Sequence, residues 1–187
     1  MKRGFKSRCE QISKRYRKTL NLAPEDALPY QLLADHLEAL IWTPYDVPGL
    51  DAAYIKQLTE VDQSGWSAVT VSFADRYVVV VNSSHSDRRL ANDVVHELAH
   101  IILKHAPSRV DISDDGHLWL STYGKEEEDE ANWLAAALLL PRDGLFTTYK
   151  KLRSEEAVAD KFGVSEQLVR LRLNVTGIHA QLQRSKS

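Results

Sequence analysis

Near its centre the chain reads Val94-Val95-His96-Glu97-Leu98-Ala99-His100-Ile101-Ile102-Leu103. Leu90, Val94, Leu98, Ile101 and Ile102 recur at helical spacing, and neither Gly nor Pro interrupts from Asp87 to His105. The pattern predicts a helix over about 87–105. On such a helix His96 and His100 are four apart, share a face beside the apolar stripe, and can grip one cation between their imidazoles. Glu97 projects next to them, within reach of a proton on a water polarised by that cation. The H-E-x-x-H spacing thus points to a metal site that carries its own base. The competing reading is a pair of ordinary surface histidines on a core helix.

Two histidines do not complete a catalytic zinc shell, which usually has three protein ligands and one open position. Cys9 is the only cysteine and lies far upstream. The better source is Glu126-Glu127-Glu128-Asp129-Glu130-Ala131-Asn132-Trp133-Leu134-Ala135-Ala136-Ala137-Leu138-Leu139-Leu140, a helical run that begins acidic, continues alanine-rich and stops at Pro141. Glu128 and Asn132 share a face, and the small residues Ala135 and Ala136 would let a second helix come close. A carboxylate at Glu128 is then a candidate third ligand. Asn132, one turn on, is a candidate to hold a ligating histidine through its other ring nitrogen. The acidic cluster also suits a helix N-terminus, where negative charge opposes the macrodipole, so several acids compete for the ligand role.

Outside these two helices the period changes. Ser67–Phe73 alternates and is rich in β-branched residues, Tyr77–Val81 is apolar on both faces, and Ala74-Asp75-Arg76 reads as the turn between them. The second strand is expected to be the more buried, and an exposed edge of the first could pair with an extended substrate. His117–Ser121 is a candidate third strand. Residues 1–20 carry eight Lys and Arg residues outside the stripe Phe5, Cys9, Ile12 and Tyr16, an amphipathic helix with a basic outer face. Leu32, Leu33, Leu37, Leu40 and Ile41 predict a helix after Pro29, with His36 near its buried face. A loop at Pro44 and Pro48-Gly49 leads to a short helix near 51–58. After Pro141, helices are expected near 143–151, 154–162 and 165–173, with Gly163 ending one and Ser165 capping the next. That last pair resembles a helix-turn-helix, but only Arg170 and Arg172 stand on its second helix. Packing and partner contact are favoured over base reading. Tyr123 and His105 are polar groups near the presumed cleft and possible transition-state stabilisers.

At 187 residues the chain is long enough for a substantial core, with 43% apolar residues and a net charge of −2. Nothing in that balance argues for nucleic acid or a membrane surface. A single cysteine excludes an internal disulfide framework and fits a reducing compartment. No apolar run approaches a membrane span, and the basic N-terminus lacks the apolar centre of a secretory signal, so a cytoplasmic location is expected.

Taken together, His96-Glu97-Leu98-Ala99-His100-Ile101-Ile102-Leu103, Glu128 with Glu130-Ala131-Asn132-Trp133-Leu134-Ala135-Ala136, and Leu139-Leu140-Pro141 resemble the ImmA/IrrE family of metallopeptidase-like proteins. Gly65–Thr70 with Tyr77–Asn82 resembles the family's hairpin, and Phe162–Ser165 with Val169–Leu173 its C-terminal helical pair. The likeness runs from about Leu28 to Gly177, with three separated motifs in the family's order. It implies an α+β, mainly helical zincin-like fold with a small antiparallel β-sheet and a C-terminal helical pair. A metallopeptidase-like domain over 1–145 would be followed by a helix-turn-helix-like subdomain over 146–187. It implies a gluzincin-like Zn2+ site with His96, His100 and Glu128 as ligands and Glu97 as base. It further implies a zinc metallo-endopeptidase that cleaves a helix-turn-helix transcriptional repressor, or a peptidase-like module that inactivates such a partner without cleavage. Either would serve a phage, a mobile element or a stress response. Many members begin with a repressor-like DNA-binding domain. The start of this chain is too short for one, so the DNA-binding partner is expected to be a separate protein.

Overall fold

The computed structural model describes residues 2–73, 76–106, 110–112, 118–120 and 123–184. The basic N-terminal segment is helix α1 (Phe5–Thr19), with Phe5, Cys9 and Ile12 inward. Not every basic residue of α1 is on its outer face. Arg17 is buried. A second helix, α2 (Tyr30–His36), ends earlier than its leucine pattern suggests. Glu38 takes a positive φ of 54°, and Leu40–Trp42 then forms strand β1. His36 is at the solvent edge, edge-on to Tyr16.

A 3-10 turn (Pro44–Asp46) and helix α3 (Ala52–Lys56), capped by the Asp51 carboxylate, lead into a π turn (Gln57–Val61). Strands β2 (Ala68–Phe73) and β3 (Arg76–Val81) are antiparallel, as their alternation requires, while residues 74 and 75 of the expected turn lie outside the described residues. Strand β1 pairs in parallel with β3, Leu40 opposite Val78 and Trp42 opposite Val80. The sheet is therefore mixed, ordered β1-β3-β2, with apolar β3 in the middle and Val78, Val79 and Val81 buried. Leu40 and Ile41 continue the helical period of Leu33 and Leu37, so local pattern alone assigns them to the helix. Pairing with the central strand overrides it.

Helix α4 (Asp87–Leu103) stops where Lys104 turns left-handed. Strands β4 (Val110–Ile112) and β5 (Leu118–Leu120) form a separate two-stranded antiparallel sheet. The expected third strand is thus present over Leu118–Leu120 but does not join the first sheet, and His117 and Ser121 lie outside the described residues. Helix α5 (Lys125–Leu139) packs against both α4 and α1, and is followed by α6 (Arg142–Leu152), α7 (Glu155–Phe162), α8 (Glu166–Val175) and α9 (Ile178–Arg184). Ser154 and Ser165 cap α7 and α8 with their hydroxyls, and Gly163 turns between them at φ 68°.

One core runs from Phe5 and Cys9 through Val94, Leu98, Leu134 and Leu138 to Leu173 and Leu182. The end of α5 is sunk in it, which leaves terminal carbonyls that water cannot reach. Buried side chains satisfy them. Ser13 Oγ donates to the Ala137 carbonyl at 2.7 Å, Arg17 Nη2 to Leu138 at 3.0 Å, and Arg172 Nε to Leu140 at 3.0 Å. Arg172 also pairs with Glu10 at 2.5 Å. Arg172, one of the two arginines for which packing was favoured over base reading, is an internal cap, while Arg170 pairs with Glu155. No helix among the described residues is long and apolar enough to cross a membrane.

Candidate metal centre

Helix α4 enters the core on its Val94, Val95, Leu98 and Ala99 face, and this rotation carries His96, Glu97 and His100 to the seam with α5. On α5 the acids divide their work. Glu127 Oε2 accepts from the Gly124 amide at 2.9 Å and caps the helix. Glu128 turns to the histidines instead. One carboxylate oxygen stands 3.2 Å from His96 Nε2 and the other 3.8 Å from His100 Nε2, and the two Nε2 atoms are 3.2 Å apart. Three donor atoms, one from each residue, all lie within 4.8 Å of one another. Tetrahedral ligands at ~2.0–2.1 Å from a zinc ion would be separated by about 3.3 Å, so this triangle fits a cation of that size. Where neither Nε2 carries a proton, two lone pairs and a carboxylate face one another and repel unless a cation lies between them. The residues present can hold a metal ion.

A ligating imidazole must be neutral. His100 is almost fully buried, and burial, with His96 and His105 beside it, pushes its pKa down to about 3. Its other nitrogen, Nδ1, lies 2.9 Å from His105 Nδ1, and His105 Nε2 lies 3.5 Å from Glu130. For His100 to offer Nε2 to a cation, its Nδ1 must carry the proton and donate it to His105. His105 then carries its own proton on Nε2, towards Glu130. His105 thus stands behind a ligand rather than over the cleft. Asn132 is exposed and lines the cleft beside His96. Among the described residues no hydrogen bond joins it to a ring nitrogen.

Glu97 is buried, and Thr70 Oγ1 on β2 donates to its Oε2 at 2.6 Å. Burial raises the Glu97 carboxyl above the usual range, against Thr70 and His96, which lower it. The Tyr123 ring stacks on His100 with centroids 3.6 Å apart. Burial, helped by the Glu97 and Glu128 carboxylates, pushes its hydroxyl well up, so it remains a donor. A cavity of about 350 Å3 joins His96, Glu97, Glu128 and Asn132 to Ser67 and Ala68 at the start of β2 and to Asn92 and Asp93. Behind it His85 Nδ1 bonds Asp93 at 2.8 Å.

Sequence reading did not single out Thr70, Glu130 or the His85–Asp93 pair. Thr70 is one inward position of an alternating strand, and only the tertiary approach of β2 to α4 gives it a partner. Glu130 stands two residues after Glu128 in the same acidic run, and only the helix seam separates their targets.

A family model, Peptidase_M78, described as the IrrE N-terminal-like domain, matches residues 54–174. No curated protein matches the chain. Among solved structures, a Mycobacterium tuberculosis transcriptional regulator is similar at a TM-score of 0.54 and 17% identity, over 88% of this chain and 46% of that one. The chain spans less than half the length of that regulator, and at this identity the likeness concerns the fold alone.

Proposed function

From the premise that the chain belongs to the IrrE N-terminal-like peptidase family, we propose that it is a zinc-dependent endopeptidase acting on a separate helix-turn-helix transcriptional repressor. The observation that carries this reading is the triangle of His96, His100 and Glu128 donor atoms with the buried Glu97 carboxylate beside it. The regulatory assignment draws support from the transcriptional regulator whose fold this chain shares.

Bound by His96, His100 and Glu128, zinc would polarise the scissile carbonyl and acidify a water. Glu97 takes the proton of the attacking water and passes it to the leaving amine. Thr70 fixes one oxygen of that carboxylate and leaves the other as acceptor. Tyr123, held against His100, donates its hydroxyl to the developing oxyanion. His105 is a positioning residue that sets the tautomer of His100, with Glu130 behind it. Among the described residues strand β2 is an outer strand of its sheet and begins at the cleft, so its edge can align an extended chain.

The test is incubation of the zinc-loaded protein with a candidate repressor, followed by mass spectrometry for new termini. Cleavage by the native protein is expected, together with its loss in a Glu97→Gln variant that still takes up zinc. Persistent cleavage by that variant refutes the role of Glu97. Tight binding of an uncut repressor by the native protein supports the non-cleaving module in place of the peptidase.

A further inference from the structure

Beyond His96 the cleft does not close. A second cavity, of about 760 Å3, shares His96, Asn92 and Asn132 with the first and runs on towards the N-terminal turns of α8. Ala135 and Ala136 form its floor, and Leu168 and Leu171 one wall. The floor lies low because both residues are alanines, and larger side chains there would fill the space. Leu171 is 52% exposed, while its neighbours Val169 and Leu173 on the same helix are fully buried. It is an apolar side chain directed away from the core and along the groove.

The walls are tied together. Arg88 on α4 donates to the Val164 carbonyl at 3.3 Å and pairs with Asp160 of α7 at 2.5 Å, so the turn before α8 is fixed against the metal helix. A groove braced in this way exists before anything enters it. Polar side chains line the rest of it, among them Arg89, Asn92, Glu166 and Gln167.

We propose that this groove is a specificity subsite of the peptidase, which receives a large aliphatic side chain of the polypeptide substrate next to the scissile bond. The inference rests on the peptidase reading above. Its own support is continuity. His96 lines both cavities, so a chain whose carbonyl approaches the His96–His100–Glu128 triangle carries an adjacent side chain over Ala135, Ala136 and Leu171. The substrate would then be chosen partly by α8, outside the segment that carries the metal ligands.

The probes are two hydroxamates, which chelate zinc and differ by one isobutyl group: N-acetylglycine hydroxamate and N-acetyl-leucine hydroxamate. Their affinities for the zinc-loaded protein are measured by calorimetry. Burial of an isobutyl group is expected to make the leucine compound about tenfold tighter or more. In Leu171→Glu that advantage should vanish while the affinity of the glycine compound holds, which also reports an intact fold and metal site. In Leu152→Glu, a comparably exposed leucine on α6, the advantage should persist. Equal affinities in the native protein, or an advantage untouched by Leu171→Glu, overturn the subsite and leave the metal reading standing. If neither hydroxamate binds the zinc-treated protein, the metal reading fails and the subsite fails with it.

Discussion

At its first turns α5 directs Glu128 and Glu130 towards the histidines of α4 and the residue just beyond it. At its last turn it directs the carbonyls of Ala137 and Leu138 towards Ser13 and Arg17, and the Leu140 carbonyl just past the end meets Arg172. Both ends gather electron-rich atoms. At the buried end the chain supplies the donors itself, two guanidinium groups and a hydroxyl, and the arrangement is complete. At the other end two imidazole nitrogens and a carboxylate converge on one another, and among the described residues no Lys or Arg pairs with that carboxylate. One helix thus separates two uses of the same electrostatic problem. Where the sequence provides the positive charge the result is stability, and where it leaves room for a cation the result is a candidate site.

The comparison breaks most sharply at Glu128. Structural zinc in zinc-finger peptides binds with ~10–16 kcal/mol, and on that scale loss of one of three ligands should weaken zinc binding on the order of a thousandfold. Glu128→Ala is expected to do this without lowering the melting temperature of the metal-free protein, since the carboxylate is partly exposed and faces ring nitrogens rather than an apolar pocket. Competition with a chelating dye measures the first quantity and calorimetry the second. Unaltered zinc affinity would place the third ligand elsewhere.

The opposite break is Arg172→Ala. It strips the buried Leu140 carbonyl and takes the guanidinium away from Glu10, which keeps its bond from the Arg142 amide, a loss of about 2 kcal/mol. Denaturant titration should find that loss, and the folded fraction should bind zinc as the native protein does. Cys9 gives a local readout. Burial pushes its thiol up to about 12, with Arg172 among the groups around it, so in the native fold it should resist alkylation at neutral pH. It should remain protected in Glu128→Ala and become labelled in Arg172→Ala through more frequent opening of the weakened core, because the lost guanidinium by itself only raises the thiol further. Equal labelling of the two variants would mean that the two ends of α5 are not independent.

The same division explains what could be read from the residues alone. The two metal helices and the hairpin were legible because their apolar positions repeat at 3.6 or 2 residues, and H-E-x-x-H fixes a face as well as a spacing. The capping of α5 was not legible. Arg17 and Arg172 look like members of basic surface runs, and only the burial of the Leu138 and Leu140 carbonyls turns them inward. Strand β1 was hidden because Leu40 and Ile41 keep the period of the helix before them. At the site, Glu128 could be proposed but not separated from Glu126, Glu127 and Glu130, because adjacent acids differ only in the direction they face from the helix. Asn132 was reasoned to stand behind a histidine from its helix face, yet that face opens on the cleft and His105 occupies the position behind His100.

That substitution of one residue for another yields the smallest and most discriminating effect. His105 lies just past the left-handed turn at Lys104, and its amide is bonded to the His100 carbonyl at 3.0 Å, so backbone and ring are both tied to the residue it would orient. Removing a group that holds a ligand's outer nitrogen typically weakens metal binding about 10–100-fold, less than removing the ligand. His105→Ala should fall in that range, and His105→Gln, whose amide oxygen can still accept from His100 Nδ1, should recover part of the loss. Asn132→Ala should leave zinc affinity unchanged. If Asn132→Ala weakens zinc binding and His105→Ala does not, the residue behind the ligand is the asparagine. Helix α5 would then supply both the carboxylate ligand and the group that orients a histidine, and the pair formed by His105 and Glu130 would be a packing contact at the end of α4.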